Sequence, residues 1–175
     1  MKWITNCQLR IVLVIVAALF FAGGITRAAQ NQHYVGDVTA TLVGTNVQVC
    51  WKEAGLGDNQ LINYEARGIG TATFHCVNNG GQCPDAANKV TVTGPVIAKG
   101  TFSSDKNGHV TACLTLEPPE PPDPGEFSCP SGQALTLTDF SITNISITDT
   151  TNNVTQTAKP SAFSATLFVC PGPEK

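Results

Sequence analysis

The segment LTLTDFSITNISITD, residues 135–149, decides the fold. Its apolar side chains recur at every second position, the period of a strand rather than the roughly 3.6-residue period of a helix. The phase slips twice along it: Leu135 and Leu137 share one parity, Phe140 and Ile142 the other, Ile145 and Ile147 the first again. A flat strand cannot turn all six to one face, so the sequence predicts bulges or breaks near Asp139 and Asn144.

The same alternation extends outward from this segment. Val38, Ala40 and Leu42 alternate with Thr39 and Thr41, Val47, Val49 and Trp51 with Gln48 and Cys50, and Val110 to Leu116 with Thr111, Cys113 and Thr115. Further runs lie near residues 61–77, 90–98 and 100–103, and a last one through Phe163, Ala165, Leu167 and Val169 ends at Cys170. Gly, Asn, Asp and Pro separate them. Short strands with such punctuation predict an all-β fold, an antiparallel β-sandwich with immunoglobulin-like layers, with a barrel as the alternative. The immunoglobulin hallmark is only partly met, because Cys50 and Cys113 fall out of phase with their apolar neighbours and so staple the fold from outside. Trp51 is in phase with Val47 and Val49, which predicts a core tryptophan rather than a platform for sugar.

Upstream, residues 1–28 have the layout of a secretory signal peptide: basic Lys2 and Arg10, the apolar run Ile11 to Ala22, and the exit Thr26-Arg27-Ala28. The run is shorter than the roughly 20 residues that span a bilayer, so no stable membrane insertion is expected after cleavage at Ala28. Residues 29–175 then form a single exported domain, secreted or held in the cell envelope. Lys2, Arg10 and Arg27 leave with the leader, so 7 of the 10 basic residues remain against 13 acidic ones, a formal net charge of −6. A nucleic-acid partner is excluded by that sign.

Six cysteines remain: Cys50, Cys76, Cys83, Cys113, Cys129 and Cys170. An even number in an exported chain predicts disulfides, and the sequence leaves the connectivity open. The tightest cluster, His75 and Cys76 with Cys83, lacks paired metal-ligand spacing, so neither metal nor cofactor is expected.

No catalytic constellation stands out. Asp105-Lys106-Asn107-Gly108 echoes the start of a calcium loop but lacks its later ligands, and reads instead as a hairpin turn before Val110. Gly55-Leu56-Gly57 and Gly68-Ile69-Gly70 read as turns or bulges. His33, His75 and His109 have no serine motif near them. Residues 117–126, EPPEPPDPGE, read as a stiff surface connection that supplies no core side chain, with Glu117, Glu120, Asp123 and Glu126 as a candidate interaction loop.

The motifs CVNNGG at 76–81, AANK at 86–89, GTF at 100–102, DKNG at 105–108 and FSCPSGQ at 127–133 give the chain a resemblance to small secreted bacterial proteins of uncharacterised function. The likeness covers roughly residues 35–168. It implies a shared fold and a recurring Cys76–Cys129 pair, with the other four cysteines as additions. The function expected from the whole reading is a non-enzymatic module that engages an extracellular protein or glycan. A secreted hydrolase with an unrecognised site is the alternative, and a disulfide-stabilised inhibitor or effector is the third.

Overall fold

A computed structural model describes residues 31–84 and 88–171, so the leader lies outside the described residues. The described chain contains nine strands: β1 (His33–Tyr34), β2 (Val38–Val43), β3 (Asn46–Ala54), β4 (Leu61–Asn78), β5 (Lys89–Ser103), β6 (Val110–Leu116), β7 (Gln133–Asp149), β8 (Val154–Lys159) and β9 (Phe163–Thr166). They pair in the order β1-β3-β2-β8-β7-β4-β5, with β6 added on β3 and β9 on β7.

The expected all-antiparallel pairing is corrected at one seam, where β2 and β8 run parallel through Val38↔Ala158 and Thr39↔Lys159. The turn from β7 fixes the direction of β8, and the turn into β3 fixes that of β2. The two directions are set independently, and they coincide. One buried cluster joins Val38, Val49 and Trp51 from β2 and β3 to Tyr64 of β4 and to Phe140 and Ile147 of β7.

The two phase slips of the 135–149 segment are two register shifts of β7 against β4. Between Arg67↔Ser146 and Ile69↔Thr143, Asn144 and Ile145 together face Gly68 alone. Asn144 takes a left-handed φ of 55° there, a conformation asparagine tolerates better than most residues. A Cβ on Gly68 would lie 2.7 Å from Cγ2 of Ile142, so glycine is what lets the bulge close. The slip returns Ile145 and Ile147 to the core beside Phe140 and Ile142.

The second shift leaves Thr138 between Thr73↔Asp139 and Phe74↔Leu137. Its buried Oγ1 donates to the Thr73 carbonyl at 3.1 Å. Its own carbonyl accepts from the backbone N–H of Leu167 at 2.6 Å and of Phe168 at 3.2 Å. That fork ends the ladder, so β9 stops at Thr166 although the sequence predicts a strand to Val169.

Three further expectations need correction. Residues 90–98 and 100–103 form one strand, β5, paired along its length with β4. Leu42 is 40 % exposed, because the β2–β3 hairpin runs past the core. The Asp105–Gly108 turn closes no hairpin: β5 pairs with β4, β6 pairs with β3, and the turn carries the chain between them. It remains a turn by hydrogen bonding, since the Asp105 carboxylate accepts from the N–H groups of Asn107 and His109. Those bonds, His109 foremost, hold its carboxyl below the ordinary range.

Candidate functional site

Three disulfides join Cys50–Cys113, Cys76–Cys129 and Cys83–Cys170. The second is the pair the resemblance implies. Cys50 and Cys113 face each other across β3 and β6 with a Cα separation of 4.1 Å, on the side away from Val49. Cys76, by contrast, is fully buried.

The most perturbed groups sit at one end of the core. Glu53 ends the inward phase of β3, and Asp149 closes β7; both are fully buried. The Asp149 carboxylate accepts from the backbone N–H of Thr151 and Asn152 and from Nδ2 of Asn152, which builds the turn into β8. The Tyr34 hydroxyl accepts from the Asp149 N–H at 3.0 Å. Glu53 lies near the Tyr64 hydroxyl and Asp149, yet among the described residues neither of its oxygens closes a hydrogen bond of ordinary geometry. Burial first, then the Asp149 charge, raises its carboxyl to about 7, while the Tyr64 hydroxyl pulls the other way. Burial likewise drives Tyr34 and Tyr64 upward. A buried carboxyl with a displaced ionisation is raw material for acid–base chemistry. Glu53 and Asp149 are both sealed among core side chains.

The outward face of β4, β5, β7 and β9 carries hydroxyls in register. One row runs Thr93, Thr71, Ser141 and Ser164; the next runs Thr91, Thr73, Asp139 and Thr166. Cross-strand hydroxyl pairs stand 3.1 Å apart at Thr71–Thr93 and Thr73–Thr91. Thr166 donates to Asp139 at 2.8 Å. Sequence reading missed this face because each Thr seemed a strand's polar half. Only the register aligns them.

Residues 117–126 form a strap from β6 toward Cys129. Glu117, Glu120, Asp123 and Glu126 are all exposed, whereas Pro118, Pro119 and Pro122 are half-buried. A Cβ on Gly70 would lie 2.7 Å from both Cδ of Pro119 and Cγ1 of Val96, so the strap rests on the inner side of β4 and β5. The expectation that it supplies no packing is therefore corrected. Replacing residues 118–124 with a Gly/Ser linker of equal length is expected to cost about 1–2 kcal/mol through uncovered apolar surface and a looser unfolded chain. A thermal melt checks this. An unchanged midpoint would show that Pro119 covers nothing that matters.

The three histidines lie apart on the strand map: His33 opposite Ala54, His109 in the β5–β6 turn, and His75 between Lys89 and Thr136. The neighbour of His75 is the Cys83–Cys170 pair, while Cys76 points into the core; a ring nitrogen and the two sulfurs lie within 4.8 Å of one another. No family model, curated protein or solved structure matches the chain.

Proposed function

We propose that this chain is an exported, non-enzymatic binding module: a β-sandwich with immunoglobulin-like layers that is released by cleavage of residues 1–28 and presents the 117–126 strap to an extracellular partner. The observation that supports this reading is the division of labour within the strap. Pro119 lies against the sheet and Pro118 and Pro122 are half-buried, while Glu117, Glu120, Asp123 and Glu126 are all exposed. Proline restricts φ, so the acids are held in place before any partner arrives and less entropy is lost on binding. A ridge of one sign favours a protein with a basic surface.

The test uses Glu117→Gln, Glu120→Gln, Asp123→Asn and Glu126→Gln together, which remove charge without touching the prolines. The oxidised mature chain is expected to capture a protein from its native extracellular fluid. The neutralised variant should lose at least about tenfold in affinity and the salt dependence with it. Equal capture by both, at matched melting temperature, overturns the ridge reading.

A second reading rests on the hydroxyl rows, whose neutral donors and acceptors suit a glycan. Thr71→Val with Thr93→Val would weaken glycan binding and leave ridge-dependent capture unchanged.

A further inference from the structure

The three disulfides are not equivalent in their surroundings. Cys76–Cys129 has one partner fully buried. Cys50–Cys113 lies on an outer strand face, and among the described residues it has no His, Asp or Glu donor atom within 4.8 Å of both sulfurs. Cys83–Cys170 does have one, from His75, and both its cysteines are half-buried. His75 sits on the outward phase of β4, in line with Thr73 and Thr71, and its Nδ1 is enclosed with no hydrogen-bond partner among the described residues. The imidazole is thus uncommitted at that atom and stands against the bridge.

We propose that Cys83–Cys170 is a thiol–disulfide exchange site for a low-molecular-weight thiol, with His75 receiving the departing thiolate. A thiolate RS⁻ attacks one sulfur; the RS–S bond forms and the Cys83–Cys170 bond breaks, its electron pair leaving on the second sulfur. The His75 ring, beside the two sulfurs, donates an imidazole N–H hydrogen bond to that thiolate, which takes its proton from solvent. A second RS⁻ then attacks the outer sulfur of the mixed disulfide; RSSR forms, the bond to the cysteine breaks, and that sulfur leaves as a thiolate that takes a proton from solvent. Two thiols are oxidised and the bridge is reduced to two cysteines. A nearby hydrogen-bond donor favours the thiolate, and a better leaving thiolate departs faster. Half-buried sulfurs admit a small nucleophile more readily than a protein surface. The structural consequence is local: the bridge ties the loop after β4 to the chain beyond β9, and β9 keeps its own pairing with β7.

The experiment treats the oxidised mature protein with reduced glutathione, quenches samples with an alkylating reagent over time, and maps the labelled cysteines by peptide mass. Cys83 and Cys170 are expected to open about tenfold faster than either other pair, and His75→Gln to slow that pair about tenfold while leaving the other two at their wild-type rates. Circular dichroism of the variant checks its fold. Should His75→Gln disturb the fold, the order of labelling in the wild type still decides. Opening of Cys50–Cys113 first, similar rates for all three bridges, or an unchanged rate in a folded His75→Gln chain overturns the proposal.

Discussion

Trp51→Ala is expected to destabilise the domain by about 3–5 kcal/mol, among the largest losses any single side chain here can produce. Trp51 is 3 % exposed and stands at the centre of an aromatic trio. Its ring centroid lies 4.7 Å from that of Tyr64 and 5.5 Å from that of Phe102, the latter edge-on. Alanine removes the indole from both contacts and leaves a void between β3, β4 and β5 that backbones held by ladder hydrogen bonds cannot close. For a domain of this size the loss corresponds to a fall of roughly 10–15 °C in melting temperature. Trp51→Phe should recover much of it, since a smaller ring still meets Tyr64. Differential scanning calorimetry of the oxidised chains provides the measurement. A melting point within about two degrees of wild type would mean that the packing of the indole contributes little to the stability of the fold.

How far the sequence reaches is clearest along β7. Period two and its two slips were visible as residue types, because a bulge must occur wherever apolar phase reverses on a buried face. The structure places both shifts beside the residues that mark them, Asn144 and Asp139. Trp51 was legible for the same reason. The partner of each strand was not: β2 meets β8 in parallel because two distant turns set their directions, and alternation along one strand carries no information about that. The hydroxyl rows and the His75–Cys83–Cys170 cluster share this blindness, since both exist only once register brings separate strands and loops together. Glu53 was hidden in a different way. It ends a buried phase, yet a carboxyl at a strand's end ordinarily reads as a boundary, and its place beside Tyr64 and Asp149 emerges only when β3, β4 and β7 come together.

Glu53 gives the second large effect, and its sign runs against the usual behaviour of acidic residues. Most carboxylates gain partners on folding, and their contribution is lost as pH falls. The Glu53 carboxyl instead rises from an ordinary 4.5 to about 7, through burial first and the Asp149 charge after it. The folded chain therefore binds this proton more tightly than the unfolded chain does. Below about pH 4.5 both forms are protonated and the full stability is present; it declines as pH climbs toward 7 and the decline is complete above that. The difference amounts to about 3 kcal/mol. Glu53→Gln keeps the shape and removes the ionisation. Near pH 4 the variant and wild type should melt close together. Near pH 8 the variant should be more stable by up to about 3 kcal/mol, roughly 5–10 °C in melting temperature. Comparing the two proteins at each pH cancels the titration of every other group they share. If the gap between them stays constant from pH 4 to pH 8, Glu53 ionises in the folded core no differently than in the unfolded chain. The buried pair with Asp149 would then be an ordinary polar contact, not a stored proton.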